Sequence, residues 1–342
     1  MTGVVALGVA LLFAVYGAVI VVSNRRVRPI NGPVLPGSRV EGLPKASHEI
    51  SIMSWNIGYA GLGKNADLVV DHGKSLRALS HQEIATSAKA IAQTLVASSC
   101  DVICLQENAR AGFLTRRVPV SDVISNALCD RLNYFWTDMK SVCVPRVLHV
   151  DNGMSLHSRL AAANCQALAF KPDDIYLSGI LKKHYGTVYG RFRISDSPRD
   201  WVVFNIHLSA FDTAGHARQV QLDELLQLAK HEYALGNYVL IAGDWNMRLT
   251  PTDFSHKADP EKLLWVSDFP NDTLPPEWRV ACASGTPTVR SLNAAYVNGQ
   301  TYTTIVDGFV YSPNVRLKKV ETRDMQFEYS DHHPVEAQFI VP

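Results

Sequence analysis

The apolar residues of this chain follow three different patterns, and each predicts a different element. From Gly3 to Val22 twenty residues pass without a charge. As a helix such a run spans about 30 Å, the hydrocarbon thickness of a bilayer. No basic residue precedes it, and Ser23-Asn24-Arg25-Arg26 follows it in place of a small-residue cleavage site. A retained membrane anchor over residues 1–24 is therefore favoured over a cleaved signal peptide or a buried core helix. Residues 25–47 then carry Pro29, Pro33, Pro36 and Pro44 with Gly32, Gly37 and Gly42, and no periodicity, which predicts an extended linker.

From His48 to Pro342 the third pattern takes over. Short apolar runs at Ile50–Asn56, Val102–Glu107, Trp201–His207, Tyr238–Asn246, Thr304–Tyr311 and Val335–Val341 read as buried strands, and the first four end on polar residues. Two segments keep helical spacing instead. Ile84, Ala88, Ile91 and Leu95 share one face, as do Leu222, Leu225, Leu226, Ala229 and Tyr233 ahead of Gly236. Strands outnumber helices and mix with them irregularly, without internal repeats, which predicts one α+β domain over 48–342 with sheets packed together and helices outside.

Composition narrows the class. With 47% hydrophobic and 19% charged residues in 342, the chain affords a large core. Six irregularly spaced cysteines give neither paired zinc-ligand spacing nor a disulfide framework, and disulfides stay open. Arg25, Arg26, Arg28, Arg39 and Lys45 against Glu41 contribute +4 to a total of +1, leaving −3 for the rest. That balance lacks the basic footprint of a protein that grips many phosphates. The three arginines after the apolar run place the catalytic part on the cytoplasmic side by the positive-inside rule, with the exported side as the alternative.

The strand ends carry the chemistry. Asn56 closes Ser54-Trp55-Asn56, Glu107 closes Leu105-Gln106-Glu107, His207 closes Asn205-Ile206-His207, and Asp244 and Asn246 sit in Gly243-Asp244-Trp245-Asn246. Asp307 follows Ile305-Val306, and Asp331-His332-His333 precedes Pro334. Singly these are turn formers or structural histidines; together they place polar groups where a rigid scaffold presents a site.

In this order the six blocks resemble the signature of the endonuclease/exonuclease/phosphatase superfamily, over about residues 48–342. The resemblance implies a four-layered sandwich of two mixed β-sheets flanked by helices, and hydrolysis of a phosphoric ester by activated water. It implies Mg²⁺, with Mn²⁺ or Ca²⁺ as alternatives, held by Glu107, Asn56 and Asp331. It further implies His332 as base oriented by Asp307, Asp244 aligning the water or stabilising the leaving oxygen, and Asn246 and His207 donating to phosphate oxygens. Arg248 and His333 are candidate substrate contacts. The stretch from Phe211-Asp212 to Arg218 and Gln221 looks family-like and reads as packing at a helix start, with Arg218 near the site as the alternative.

Three functions fit these residues. The anchor favours a membrane-tethered phosphoesterase acting on a lipid or headgroup phosphoester, because tethering raises the local concentration of such a substrate. A membrane-associated nuclease acting on DNA or RNA would use the same residues, and a catalytically inactive binding protein of the same fold is the third reading. Substrate choice and oligomeric state do not follow from the sequence.

Overall fold

The computed structural model describes residues 2–37, 40–77, 79–176, 181–210, 212, 216–259, 263 and 266–342, without the side chains of residues 2–5, 8 and 175. Its strands are β1 (Gly32–Pro33), β2 (Glu49–Asn56), β3 (Val102–Gln106), β4 (Leu132–Lys140), β5 (Asp151–Ser158), β6 (Ala162–Ala169), β7 (Asp174–Tyr176), β8 (Leu181–Lys183) and β9 (Gly186–Arg193). There follow β10 (Asp200–His207), β11 (Tyr238–Asp244), β12 (Arg279–Ala281), β13 (Val289–Arg290), β14 (Thr303–Thr304), β15 (Asp307–Tyr311), β16 (Arg316–Thr322) and β17 (Val335–Ile340). The α-helices are α1 (Thr2–Arg25), α2 (His81–Ala97), α3 (Val120–Ala127) and α4 (His216–Ala234).

Two mixed sheets stack face to face. One runs β16-β17-β2-β3-β5-β4-β8-β7 and the other β1-β6-β9-β10-β11-β15-β12, with β13 and β14 as a separate pair. Alternation along each strand sorts its side chains into layers. Ile50, Ile52, Val102 and Cys104 meet Val203, Leu240, Ala242 and Phe309 between the sheets. The alternate residues Met53, Trp55, Ile103 and Leu105 turn outward onto Ile84, Ala88, Ile91 and Leu95 of α2. On the opposite side Val202, Phe204, Val239 and Ile241 pack on Leu222, Leu225, Leu226 and Ala229 of α4. Helix, sheet, sheet and helix thus form four layers. The start of α2 is set by a capping box: Ser80 Oγ accepts from the Glu83 amide, and Glu83 returns its carboxylate to the Ser80 amide.

The segment after α1 is extended but does not hang free. Gly32 and Pro33 pair with Ala167 and Gln166 at the edge of the β6 sheet, where a proline costs no ladder bond. The Val34 amide donates to Cys165 O, the Gly37 amide to Asn133 O and Trp136 Nε1 to Ile30 O. The proline and glycine content that predicts a spacer serves here as an edge strap.

The apolar run itself is helical, with Leu7, Leu11, Leu12 and Phe13 exposed. Among the described residues, no helix is long and apolar enough to cross a membrane. The expected anchor is therefore a helix in the structure and is not shown to be a span. Its C-terminal part is clamped to the domain: Asn24, fully buried, donates to Val142 O and accepts from Val142 N, each at 2.8 Å, and Tyr16 donates to Cys143 O.

Candidate active site

Strand register gathers the polar residues. β2 and β3 run parallel with Asn56 opposite Gln106, which brings Glu107 to the same end. β10 and β11 run parallel with His207 opposite Asp244, and antiparallel β15 sets Asp307 opposite Asp244. Gly243 keeps β11 close to its neighbour, since a Cβ there would lie 2.2 Å from Ile206 O. Trp55 Nε1 donates to His332 O and Ser330 Oγ to Asn56 O, which pins the 330–332 turn over the strand ends.

The result is a cleft of about 200 Å³ lined by Asn56, Glu107, His207, Asp244, Asn246, Asp331 and His332. Asp307 stands behind it, fully buried, with Oδ2 2.8 Å from His332 Nδ1 and its amide held by Thr288 Oγ1. His332 and His207 both present Nε2 to Asp244 Oδ2, each from 3.7 Å, beyond hydrogen-bond reach. Asn56 Nδ2 donates to that same oxygen at 2.9 Å. Asn246, whose φ of 49° is one an asparagine tolerates, donates Nδ2 to Leu208 O, and its own carbonyl accepts from buried Arg218. Phe211, in the stretch leading to Arg218, lies outside the described residues.

Electrostatics divide the residues into two groups. Burial opposes a charge on His332, but the carboxylates of Asp307, Asp244 and Asp331 outweigh it and carry its pKa up to about 10. Burial pushes Asp244 up to about 6 against the pull of His332. His207, desolvated and facing Lys183 and His332, is held well below the ordinary range and is neutral. Asp331, also desolvated and facing Glu107, is raised to about 6.

The donor set fits a hard divalent cation between Glu107 and Asp331. Two carboxylates and an amide oxygen are ligands of the kind Mg²⁺, Mn²⁺ and Ca²⁺ prefer. A Cβ on Gly58, which has φ +48°, would stand 2.8 Å from Asp331 Oδ1, so glycine leaves the carboxylate room. Glu107 itself sits at φ 53°, a strained backbone that turns it into the cleft. Asp244, Asp307 and His332 also offer ligand atoms within 4.8 Å of one another. There His332 Nδ1 and Asp307 Oδ2 already bond each other, while Asp307 Oδ1 has no hydrogen-bond partner among the described residues.

Two expected contacts fall elsewhere. Arg248 Nε pairs with Asp268 at 2.6 Å and lies outside the cleft. His333 turns away from His332: its Nδ1 donates to Pro287 O, its Nε2 accepts from the Phe327 amide, and its ring stacks on Phe327 at 3.9 Å. Both nitrogens are occupied, and its pKa is depressed to about 4 by burial.

Two residues are new. Lys183 on β8 places Nζ 3.3 Å from Glu107 Oε1 with its side chain 8% exposed. Burial lowers its proton affinity, but Glu107 and Asp138 more than restore it. Asn205 binds the sheets together behind the site, donating to Leu105 O and Ser155 O and accepting from Gln106 Nε2. Asn205 stands in plain view in the strand ending at His207. Lys183 has no sequence signal beyond two adjacent lysines.

Comparison with known proteins agrees with this geometry. The model of the Endonuclease/Exonuclease/phosphatase family matches residues 53–332. Comparison with curated proteins finds no match. Similar solved structures include TDP2 from Caenorhabditis elegans, at 16% identity and a TM-score of 0.54, covering 86% of this chain and 74% of that one. The human Nocturnin catalytic domain with bound sulfate is similar at 17% identity and a TM-score of 0.53, over 87% of this chain and 96% of that one. An endonuclease/exonuclease/phosphatase from Beutenbergia cavernae has 15% identity and a TM-score of 0.53, over 86% and 72%. At these identities the structures share the fold, and the family match over most of the chain decides the rest: this protein belongs to the Endonuclease/Exonuclease/phosphatase family.

Proposed function

We propose that this chain is a membrane-tethered, divalent-cation-dependent phosphoesterase that hydrolyses a phosphodiester or phosphomonoester of a lipid or its headgroup. The observation that carries the hydrolytic part is the constellation Asp307–His332–Asp244 facing Glu107 and Asp331 across one cleft. A bound divalent cation would neutralise phosphate charge and stabilise the leaving oxygen.

The protein's own groups supply the rest. With a pKa near 10, His332 is an imidazolium at neutral pH, oriented by Asp307, and donates from Nε2 to a phosphate oxygen. Asp244, near 6, is ionised and takes the proton of the attacking water. These roles exchange the base assignment that the resemblance implies, because three carboxylates surround His332. Neutral His207 and the Asn246 amide lie where they can orient the substrate.

The tether rests on α1, whose sequence has no charge from Gly3 to Val22 and is followed by Arg25, Arg26 and Arg28. Those arginines favour a cytoplasmic catalytic domain. The D. rerio TDP2 structure holds a single-stranded DNA product, so nucleic acid is the competing substrate.

The test is hydrolysis by the full chain in detergent, with Mg²⁺, Mn²⁺ or Ca²⁺ and then with EDTA, of bis(p-nitrophenyl) phosphate, phospholipids, DNA and RNA. Cation-dependent turnover concentrated on phospholipid, lost by at least about 10²-fold in His332→Ala and Asp244→Ala, is the expected result. Turnover on DNA or RNA alone replaces the lipid reading with the nuclease. Alkaline carbonate extraction tests the tether, and a catalytic domain released into the wash would sink it.

A further inference from the structure

We infer that a basic and aliphatic face beside the mouth of the catalytic cleft docks on the surface of an anionic phospholipid bilayer. The inference deepens the proposed lipid-facing function and rests on it. In sequence the basic residues look dispersed, but the fold gathers Lys74, Arg77, Arg116 and Arg117 around a groove of about 960 Å³, with Asp67 as the acid among its lining residues. The Arg77 guanidinium lies 4.9 Å over the Phe113 ring, so the charge is held on an aromatic floor.

Aliphatic side chains stand out from the same rim. Leu76 is 87% exposed and Val147 60%, and both line the groove; Leu148 follows at 50%. The groove's one Phe, Tyr or Trp among its lining residues, Phe113, is already covered by Arg77, so no bare ring is offered on which a base could stack. Aliphatic tips beside lysine and arginine are what an interfacial surface needs, the tips entering the acyl boundary and the cations meeting anionic headgroups.

Two connections fix where this face lies. One loop serves both sites: Leu68, Val70 and Asp71 wall the catalytic cleft, Lys74 to Arg77 wall the groove, and a bond from the Val69 amide to Ser75 O closes the turn between them. The loop that carries Val147 and Leu148 is in turn clamped to α1 through Val142 and Cys143. The apolar helix, the basic groove and the cleft mouth are thereby joined through two short loops.

The experiment uses the full chain in nanodiscs of phosphatidylcholine, with or without phosphatidylserine. The indole introduced by Leu76→Trp should be quenched by brominated acyl chains in phosphatidylserine discs, and less so when Lys74 and Arg77 are also changed to Ser. The triple variant Leu76→Ser/Val147→Ser/Leu148→Ser should keep wild-type turnover of bis(p-nitrophenyl) phosphate and lose roughly tenfold on bilayer lipid. Quenching read without turnover separates docking from catalysis. If the wild type hydrolyses no phosphodiester yet the indole is quenched, the face stands and the catalytic reading falls. An unquenched indole in phosphatidylserine discs overturns the inference. So does protection of Arg77 and Arg117 from arginine-modifying reagent by single-stranded DNA but not by the discs.

Discussion

Replacing Lys183 with methionine tests the cation seat without touching any ligand. The ammonium lies 3.3 Å from Glu107, with side-chain exposures of 8% and 19%. At an effective permittivity of about 20, two charges at that distance attract by about 5 kcal/mol. Desolvation of the lysine cancels a large part, and water reaches Glu107. Breaking the pair should therefore cost about 3 kcal/mol, at the low end for a buried pair. For a domain of this size that lowers Tm by about 6 °C. The measurement is thermal unfolding of the full chain in detergent, in EDTA and then across a Mg²⁺ titration. Because a divalent cation restores positive charge beside Glu107, Mg²⁺ should raise the Tm of Lys183→Met more than that of the wild type, and Lys183→Arg should fall between them. Equal Mg²⁺ shifts in all three proteins would refute the placement of the cation next to Glu107. A variant that melts with the wild type in EDTA would show that the pair carries no stability.

Three further outcomes are expected. Asp307→Asn keeps the shape beside His332 but removes the charge 2.8 Å from Nδ1, so kcat should fall about 10²- to 10⁴-fold. The alkaline limb of the pH–rate profile should also move to lower pH, and an acid-limb shift instead would restore His332 as base. Asn205→Ala removes the side-chain donors to Leu105 O and Ser155 O and one of the two acceptors of Gln106 Nε2 between the sheets, for a loss of about 3 kcal/mol in urea unfolding at unchanged m. A loss below about 1 kcal/mol would show that the sheets close without it. His333, neutral in the fold with a pKa near 4 against an ordinary 6.5, lets the unfolded chain take up a proton first as the pH drops. The stability it supplies is complete above pH 6.5 and declines toward pH 4 by up to about 3 kcal/mol. Comparing urea curves at pH 7 and 4.5, His333→Phe should flatten that decline, and an identical decline in both proteins would contradict the assignment.

The strands that end on Asn56, Glu107, His207 and Asp244 are legible in the sequence because each is a run of apolar residues stopped by a polar one, and parallel register then lines up the stops. β5 is not legible. Asp151–Ser158 is buried throughout yet mostly polar: the Ser155 hydroxyl accepts from Asn108 and meets His157, and the Ser158 hydroxyl donates to Leu160 O. Asp138 on β4 and Lys183 on β8 lie on the strands beyond β5 in the same sheet, where burial of a charged residue has no pattern in the sequence. His333 misleads because it adjoins His332, whereas residues next to each other in extended chain face opposite ways. Arg248 misleads because a loop residue four positions beyond Asp244 has already left the sheet end and meets Asp268. The basic groove is invisible in a linear count, since Lys74 and Arg117 are neighbours only after α2 has packed.

The two-way bond between Asn24 and Val142, with the strap along β6, makes the junction after α1 a mount and not a leash. A leashed enzyme samples a hemisphere around its anchor and meets soluble substrates as readily as membrane ones. A mounted one keeps a fixed height and heading, so its search is two-dimensional and its rate follows surface density in place of bulk concentration. On the proposed tether, Asn24→Ala with Tyr16→Phe, added to a flexible glycine-serine segment between Asn24 and Ile30, would break the bonds to Val142 and Cys143, relax the height and keep the chemistry, so that the enzyme would also work on what diffuses past.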